Sequence, residues 1–234
     1  MIPIKTESAW KGTSDCRNCG IRDMVLFADL NEQDFGLIHA PIDDLVFHPG
    51  QMLYSEGQNA LGVFTLRQGM IKLVRVTSDG RQRIVRVLRP GDVAGLESLA
   101  KAHYVNEAVA LTDVSVCRIP LAVMQTLSTQ SPRLHKRLME TWQRALLDAD
   151  DWLADINFGT ARQRVCNLIL KMRDPVDVSK TVLFGRDDMG AMMDLKLETV
   201  SREISALVRE GVIEPLDRQG RAYRIAHMDA LRRV

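Results

Sequence analysis

The apolar positions of this chain change period twice along its length. Between about Leu45 and Pro120 they come in short runs cut by Gly50, Gly57, Gly69, Gly80, Gly91 and Gly95. Met70–Val76 and Arg83–Leu88 flank the turn-forming Thr77-Ser-Asp-Gly-Arg81, which predicts a hairpin, and the whole stretch predicts an antiparallel β roll or barrel. From Ser131 to Asn157 the period becomes helical, with Pro132 suited to a first helical turn. Leu138, Trp142, Ala145, Ala149, Trp152 and Ile156 follow one another at alternating steps of four and three, the seam of a two-stranded coiled coil. A homodimer is expected from it, and packing against the chain's own β domain is the competing reading. Asp148, Asp150, Asp151 and Asp155 crowd the same stretch, either as a solvated acidic face or as like charges that weaken the pairing. Phe158 to Arg173 reads as a further helix with Val165, Leu168, Ile169 and Met172 on its apolar side.

Asp187 to Arg224 carries the most specific pattern: a helix, a tight turn, a second helix and a short hairpin. Met189 to Met193 has the compact apolar spacing of a supporting helix, and Asp194 to Lys196 supplies the turn. Val200, Ile204 and Leu207 form an apolar stripe on the second helix, while Glu198, Ser201, Arg202, Ser205 and Arg209 line its opposite side. One face packs and the other is free to read something. Gly211 is placed to end that helix, and Asp217-Arg-Gln-Gly-Arg221 forms a polar turn whose Arg218 and Arg221 can meet phosphates. This is the pattern of a winged helix-turn-helix, which puts a helix into the DNA major groove. Arginine can donate two bonds to guanine and a carboxylate can accept from cytosine, so Glu198, Thr199, Ser201, Arg202 and Ser205 are the expected DNA-facing set. A plain surface ion pair between Glu198 and Arg202 is the competing reading.

At 234 residues the chain has room for two modest cores. No apolar run approaches the ~20 residues of a membrane span and the N-terminus lacks the apolar stretch of a secretion signal, so no membrane association and a cytoplasmic location are expected. The net charge is +1, parting into about +3 for residues 158–234 and −2 for residues 1–157. So mild a bias suits a protein that finds DNA through a shaped site, since a non-specific binder needs a stronger phosphate attraction. The boundaries expected are a Cys-containing segment at 1–25 with a loose tail over its first fifteen residues, a β-roll sensor domain at 26–130, a dimerisation helix at 131–157 and the winged helix-turn-helix at 158–234. The fold class is α+β. Nothing resembling a nucleophile with its base, a phosphate-cradling loop or a catalytic carboxylate pair is present, so an enzyme is not expected.

Arg89-Pro-Gly-Asp-Val-Ala-Gly95, Val116-Cys-Arg-Ile-Pro120 and Leu197-Glu-Thr-Val-Ser-Arg202 match motifs of the CRP/FNR superfamily of bacterial transcription regulators, and the chain resembles that superfamily from about Cys16 onward. The apolar Leu197 followed by Glu198, Ser201 and Arg202 resembles its FNR-like branch. The resemblance implies a homodimer on a palindrome with half-sites similar to TTGAT, double-stranded DNA and RNA polymerase as partners, and polymerase contacts from roll loops such as Thr77 to Arg83. Cyclic-AMP binders of the superfamily use a glycine–glutamate and an arginine–serine pair. Here Gly95 precedes Leu96, and Asn106-Glu107 stands at the second place, where a carboxylate repels phosphate, so cyclic AMP is not the expected signal.

FNR proteins hold an oxygen-labile iron–sulfur cluster on four cysteines. Cys16, Cys19 and Cys117 match three of them and Val25 stands at the fourth. A cluster on three thiolates with an unknown fourth ligand, Asp23 being a candidate, is one reading. A reversible disulfide of Cys16 and Cys19 is another, and a sensor for a different small ligand in the roll is the third. Cys166 sits among apolar helix positions and is expected to be buried. A ligand-binding module acting on a protein partner is the remaining alternative, and it leaves Glu198, Ser201 and Arg202 without a task.

Overall fold

A computed structural model describes residues 26–38, 40–77, 80 and 82–233. The first 25 residues, and with them Cys16, Cys19, Asp23 and the expected tail, lie outside the described residues. What is described forms two compact units that part within one long helix, between Leu146 and Leu147, with residues 82–84 counted to the second.

The first unit runs α1 (Glu32–Phe35), β1 (Asp43–Phe47), β2 (Met52–Tyr54), β3 (Gly62–Gln68), β4 (Ile71–Val76), β5 (Gln82–Leu88), β6 (Val93–Ala94), α2 (Ser98–Lys101), β7 (Glu107–Ala110), β8 (Val114–Pro120), α3 (Leu121–Gln130) and the start of α4 (Pro132–Ile156). Two four-stranded sheets, in the orders β1-β8-β3-β6 and β2-β7-β4-β5, make the antiparallel roll. Alternation along β3 and β8 sends Phe64, Leu66, Val114 and Val116 into a core shared with Ile71, Leu73 and Leu88 of the other sheet. The opposite parity, Val63 and Ile119, faces a second core built with Leu26, Leu30, Met124, Leu127, Leu134 and Leu138. The α3 segment lies inside the stretch read as roll; its ten residues are too few for a helical period to stand out.

The long helix occupies residues 132–156, within the 131–157 expected. Its exposed apolar face, however, is displaced from the one its spacing suggested. Leu138 is buried in the roll's second core, and Trp152 and Ile156 are buried as well, so three of the six proposed seam residues are spent inside the chain. Trp142 is exposed, and Ala145 and Ala149 are half-buried. The large apolar side chains left to solvent on α4 are Met139, Trp142, Leu146, Leu147 and Leu153. The acidic residues also have partners within the chain: Asp148 accepts the Trp152 indole N–H at 3.0 Å, and Lys171 Nζ lies 3.2 Å from Asp155 and 3.9 Å from Asp151.

The second unit continues with α5 (Ala161–Lys171), β9 (Lys180–Val182), α6 (Arg186–Met193), α7 (Leu197–Arg209), β10 (Ile213–Pro215), β11 (Ala222–Ile225) and α8 (Met228–Arg232). Thr160 and Gln163 form a reciprocal capping box that starts α5. β9 pairs with β11, which pairs with β10, so the wing is a three-stranded sheet whose first strand is too short to announce itself in the sequence. Cys166 is fully buried among Val165, Leu168 and Ile169, and that burial pushes its thiol up to about 11, which leaves it inert as a nucleophile.

Candidate nucleic-acid interface

The turn between α6 and α7 fixes the angle at which the second helix is offered. Asp194 takes the left-handed conformation at φ 54°, which short polar side chains tolerate, and its N–H closes on Gly190 O. A Cβ on Gly190 would stand 2.6 Å from Leu195 O, so the turn packs on the helix only because residue 190 has no side chain. Val200, Ile204 and Leu207 are buried to within a few per cent and anchor α7 by one face. Its far end is held by Arg162, which makes a two-pronged ion pair with Glu210, Nη1 to Oε1 at 3.0 Å. The guanidinium keeps the Glu210 carboxyl below its ordinary pKa. Arg164 Nη1 donates to Met193 O at 3.0 Å and so ties α5 to the last turn of α6.

The other face of α7 carries the expected DNA-facing set. Glu198, Arg202 and Ser205 are exposed, and Thr199 and Ser201 half-exposed. The Arg202 side chain is 69 % exposed with Nε 3.6 Å from Glu203, and no ion pair joins it to Glu198 among the described residues. The competing reading of a mutual surface pair therefore has no contact to rest on. Glu198 lies in the first turn, where the positive end of the helix favours a carboxylate. Leu197, 40 % exposed, adds an apolar group beside it. In the wing, Arg218 and Arg221 are both exposed. The Asp217 carboxylate accepts the N–H groups of Arg221 and Ala222 at 3.0 and 2.9 Å, which shapes the turn and holds Asp217 below its ordinary pKa.

One residue of this face is invisible in the sequence pattern. Arg186, at the start of α6, donates to Gly220 O and Tyr223 Oη. With Ser201, Ser205, Arg209 and Tyr223 it lines a groove of ≈ 420 Å³. Nothing in the local spacing of residues 185–193 marks it, because its partners are more than thirty positions away.

Two family descriptions match the chain, and they divide it as its architecture does. Residues 44–131 match the cyclic nucleotide-binding domain and residues 163–234 match the Crp-like helix-turn-helix domain. The chain belongs to the CRP/FNR superfamily. Members of that superfamily are transcription regulators and not enzymes. This CRP/FNR chain is 26 % identical over 210 residues to the transcriptional activator protein FnrA of Stutzerimonas stutzeri, covering 85 % of this chain and 84 % of the relative. It is 24 % identical over 225 residues to the fumarate and nitrate reduction regulatory protein of Escherichia coli K12, covering 92 % and 88 %. Among solved structures, FixK2 from Bradyrhizobium japonicum shares the fold with a TM-score of 0.73 at 24 % identity, over 82 % of this chain and 96 % of that one.

Leu96, Asn106 and Glu107, the positions at which this CRP/FNR chain differs from the cyclic-AMP pattern, all lie in the roll unit. Leu96 follows Gly95 and is buried, and a Cβ on Gly95 would meet the Tyr104 ring at 2.9 Å. Tyr104 and Tyr54 stack at 3.8 Å between centroids, with Phe64 5.6 Å from Tyr54, so the roll fills its own interior with aromatic rings. Asn106 and Glu107 are half-buried near the start of β7. Cys117, on β8, is half-buried, packs against the second core and donates to Asp44 Oδ1 at 3.3 Å. No group of three or more metal-ligating side chains occurs among the described residues. None of their helices is long and apolar enough to cross a membrane.

Proposed function

We propose that the chain is a cytoplasmic, sequence-specific regulator that works as a homodimer on a palindromic, FNR-like DNA site and answers to oxygen or redox state through Cys16, Cys19 and Cys117. The observation that carries the DNA reading is the division of α7: Val200, Ile204 and Leu207 buried, Glu198, Ser201 and Arg202 turned to solvent. A docked helix would give Arg202 a guanine, Glu198 a cytosine amino group and Leu197 a thymine methyl, while Arg218 and Arg221 would meet phosphates. Double-stranded DNA and RNA polymerase are its proposed partners; the roll loop suggested for polymerase includes residues outside those described. Binding-site selection on random duplexes tests this reading. The protein should enrich a palindrome, and Arg202→Ala should lose discrimination at one base pair of each half-site, at a cost of about 1–3 kcal/mol. Unchanged preference in that variant removes Arg202 from base reading.

The dimer proposed uses the face of α4 that the chain leaves open. Met139, Trp142, Leu146, Ala149 and Leu153 step by three and four along it, a coiled-coil seam displaced by one position from the buried one.

The redox reading is supported by chain reach. Cys117 packs against the core that contains Leu26, and Cys19 is seven residues upstream of Leu26. Seven residues span up to about 24 Å and ten up to about 35 Å, so the length of chain between Leu26 and either Cys19 or Cys16 permits a site shared with Cys117. The half-buried Cys117 offers a soft ligand, and together with Cys16 and Cys19 its thiolate would hold an iron–sulfur cluster; the Asp44 carboxylate that now accepts its S–H opposes ionisation and would have to give up that contact. Such a cluster, when bound, supplies sensitivity to oxygen. Cyclic AMP is not the proposed signal, given the ring-filled roll and Glu107. A second reading, a different small ligand in the roll, is favoured by Tyr54 Oη, Thr65 Oγ1 and Arg86 Nε, buried with no hydrogen-bond partner among the described residues.

A further inference from the structure

The wing turn is braced by two sets of contacts. Asp217 accepts the N–H groups of Arg221 and Ala222, a brace that belongs to the wing itself. The guanidinium of Arg186 reaches the turn from α6: Nη2 donates to Gly220 O at 3.1 Å and to Tyr223 Oη at 2.7 Å. Tyr223 Oη in turn donates to Gly220 O at 2.9 Å, and the guanidinium carbon lies 5.9 Å from the centre of the Tyr223 ring. Gly220 takes φ +63°, and a Cβ there would come within 3.2 Å of Tyr223 Oη, so the turn is closed tightly against this junction.

The two braces do different things. Asp217 fixes the shape of the turn, but a hairpin tip of correct shape can still swing relative to the recognition helix. Arg186 is anchored on the helix-turn-helix and lines the groove that Ser201, Ser205 and Arg209 of α7 share with Tyr223 of β11. It therefore ties the position of the turn to the elements that present the reading face. We propose that Arg186 is a positioning residue: it sets the wing against α7, so that Arg218 and Arg221 meet phosphates while Ser201 and Arg202 meet bases. This rests on the DNA-binding reading given above. The rival account is that Arg186 acts only through its own charge on a phosphate.

Salt dependence of operator binding separates the two, because each neutralised phosphate contributes about 0.9 to the slope of log K against log salt. Arg186→Met should lower that slope in the full-length protein by up to about 3.6 per dimer, two wing contacts from each subunit, against about 1.8 for one direct contact of Arg186 itself. In an Arg218→Ala/Arg221→Ala background the same substitution should lower it no further, since the wing contacts it supports are already gone. An equal loss in both backgrounds assigns Arg186 a direct phosphate contact and overturns the proposal. Tyr223→Phe provides the second arm, since it removes one hydroxyl from the junction and no charge. A lowered slope supports positioning, and a slope unchanged from the parent protein overturns it, even if Arg186→Met fails to fold. Failure of the unsubstituted protein to bind any selected duplex would instead overturn the DNA-binding reading beneath it.

Discussion

Asp34 shows how much one side chain can hold. Its carboxylate accepts the Asn31 N–H at 3.0 Å while the Asn31 side chain accepts the Asp34 N–H at 3.0 Å, a reciprocal cap on α1. Arg133 Nε, at the start of α4, lies 2.7 Å from the same carboxylate. Burial alone would raise the Asp34 pKa, but Arg133, the Asn31 N–H and the Ser131 hydroxyl outweigh it and hold the group below its ordinary value. A carboxylate depressed in the folded state adds stability that is present above its unfolded pKa near 4 and is lost as pH falls through the folded value. Asp34→Asn should therefore be destabilised by about 1–2 kcal/mol at pH 7 and should converge on the parent protein only as pH falls through the folded pKa of Asp34, below the ordinary carboxylate value. Urea melts at a series of pH values would show it, and a constant offset at every pH would sink the assignment. The ion pair is not legible in the sequence, since Asp34 meets Arg133 across ninety-nine positions. Arg186 is missed for the same reason, whereas the α7 face of Glu198, Ser201 and Arg202 was readable because its contrast with Val200, Ile204 and Leu207 is local.

Among elements, α4 is where period alone falls short. Apolar residues occur on more than half of its circumference, so steps of three and four can be drawn through Leu138, Trp152 and Ile156 or through Met139, Leu146 and Leu153, and both stripes share Trp142 and Ala149. Long-range packing chooses between them, because the roll's second core takes Leu138 and leaves the neighbouring stripe open. The two stripes make opposite predictions under substitution. Leu146→Glu puts a charge on an exposed apolar face, so it should leave the fold intact and shift sedimentation toward monomer. Leu138→Ala opens a cavity in the roll core, so it should cost about 2–5 kcal/mol in unfolding while a dimer persists. A dimer indifferent to Leu146→Glu would return the seam to the face first read from the spacing, or remove it from α4. The short elements α3 and β9 escaped notice for a plainer reason: ten and three residues give a period too little length to repeat. The roll strands and the helix-turn-helix were legible because glycine turns and a two-faced helix interrupt the pattern sharply.

At the scale of the molecule the two units share α4, whose first half contributes Leu134 and Leu138 to the roll and whose last turns bury Trp152 and Ile156 with the C-terminal unit. If two copies of α4 pair as proposed, that pairing involves residues of both units, Met139 to Leu146 in the first and Leu147 to Leu153 in the second, and it is there that a signal reaching the core beside Cys117 would act. Cys117 packs from β8 on the core that also receives Leu134 and Leu138. A cluster held as proposed would join Cys117 of this core to Cys16 and Cys19. Protein purified without air should then contain iron and sulfide, absorb visible light and bind its selected duplex as a dimer, and exposure to air should bleach the colour and release the DNA together. Cys117→Ala should lose the iron while the fold, followed by circular dichroism, stays intact, since a half-buried small side chain gives up little packing. A colourless parent protein whose intact mass falls by two hydrogens on oxidation would replace the cluster with a Cys16–Cys19 disulfide. Binding indifferent to air, to iron and to all three thiols would remove the redox signal altogether and leave Tyr54 Oη, Thr65 Oγ1 and Arg86 Nε, buried without a hydrogen-bond partner among the described residues, as the place to seek the ligand.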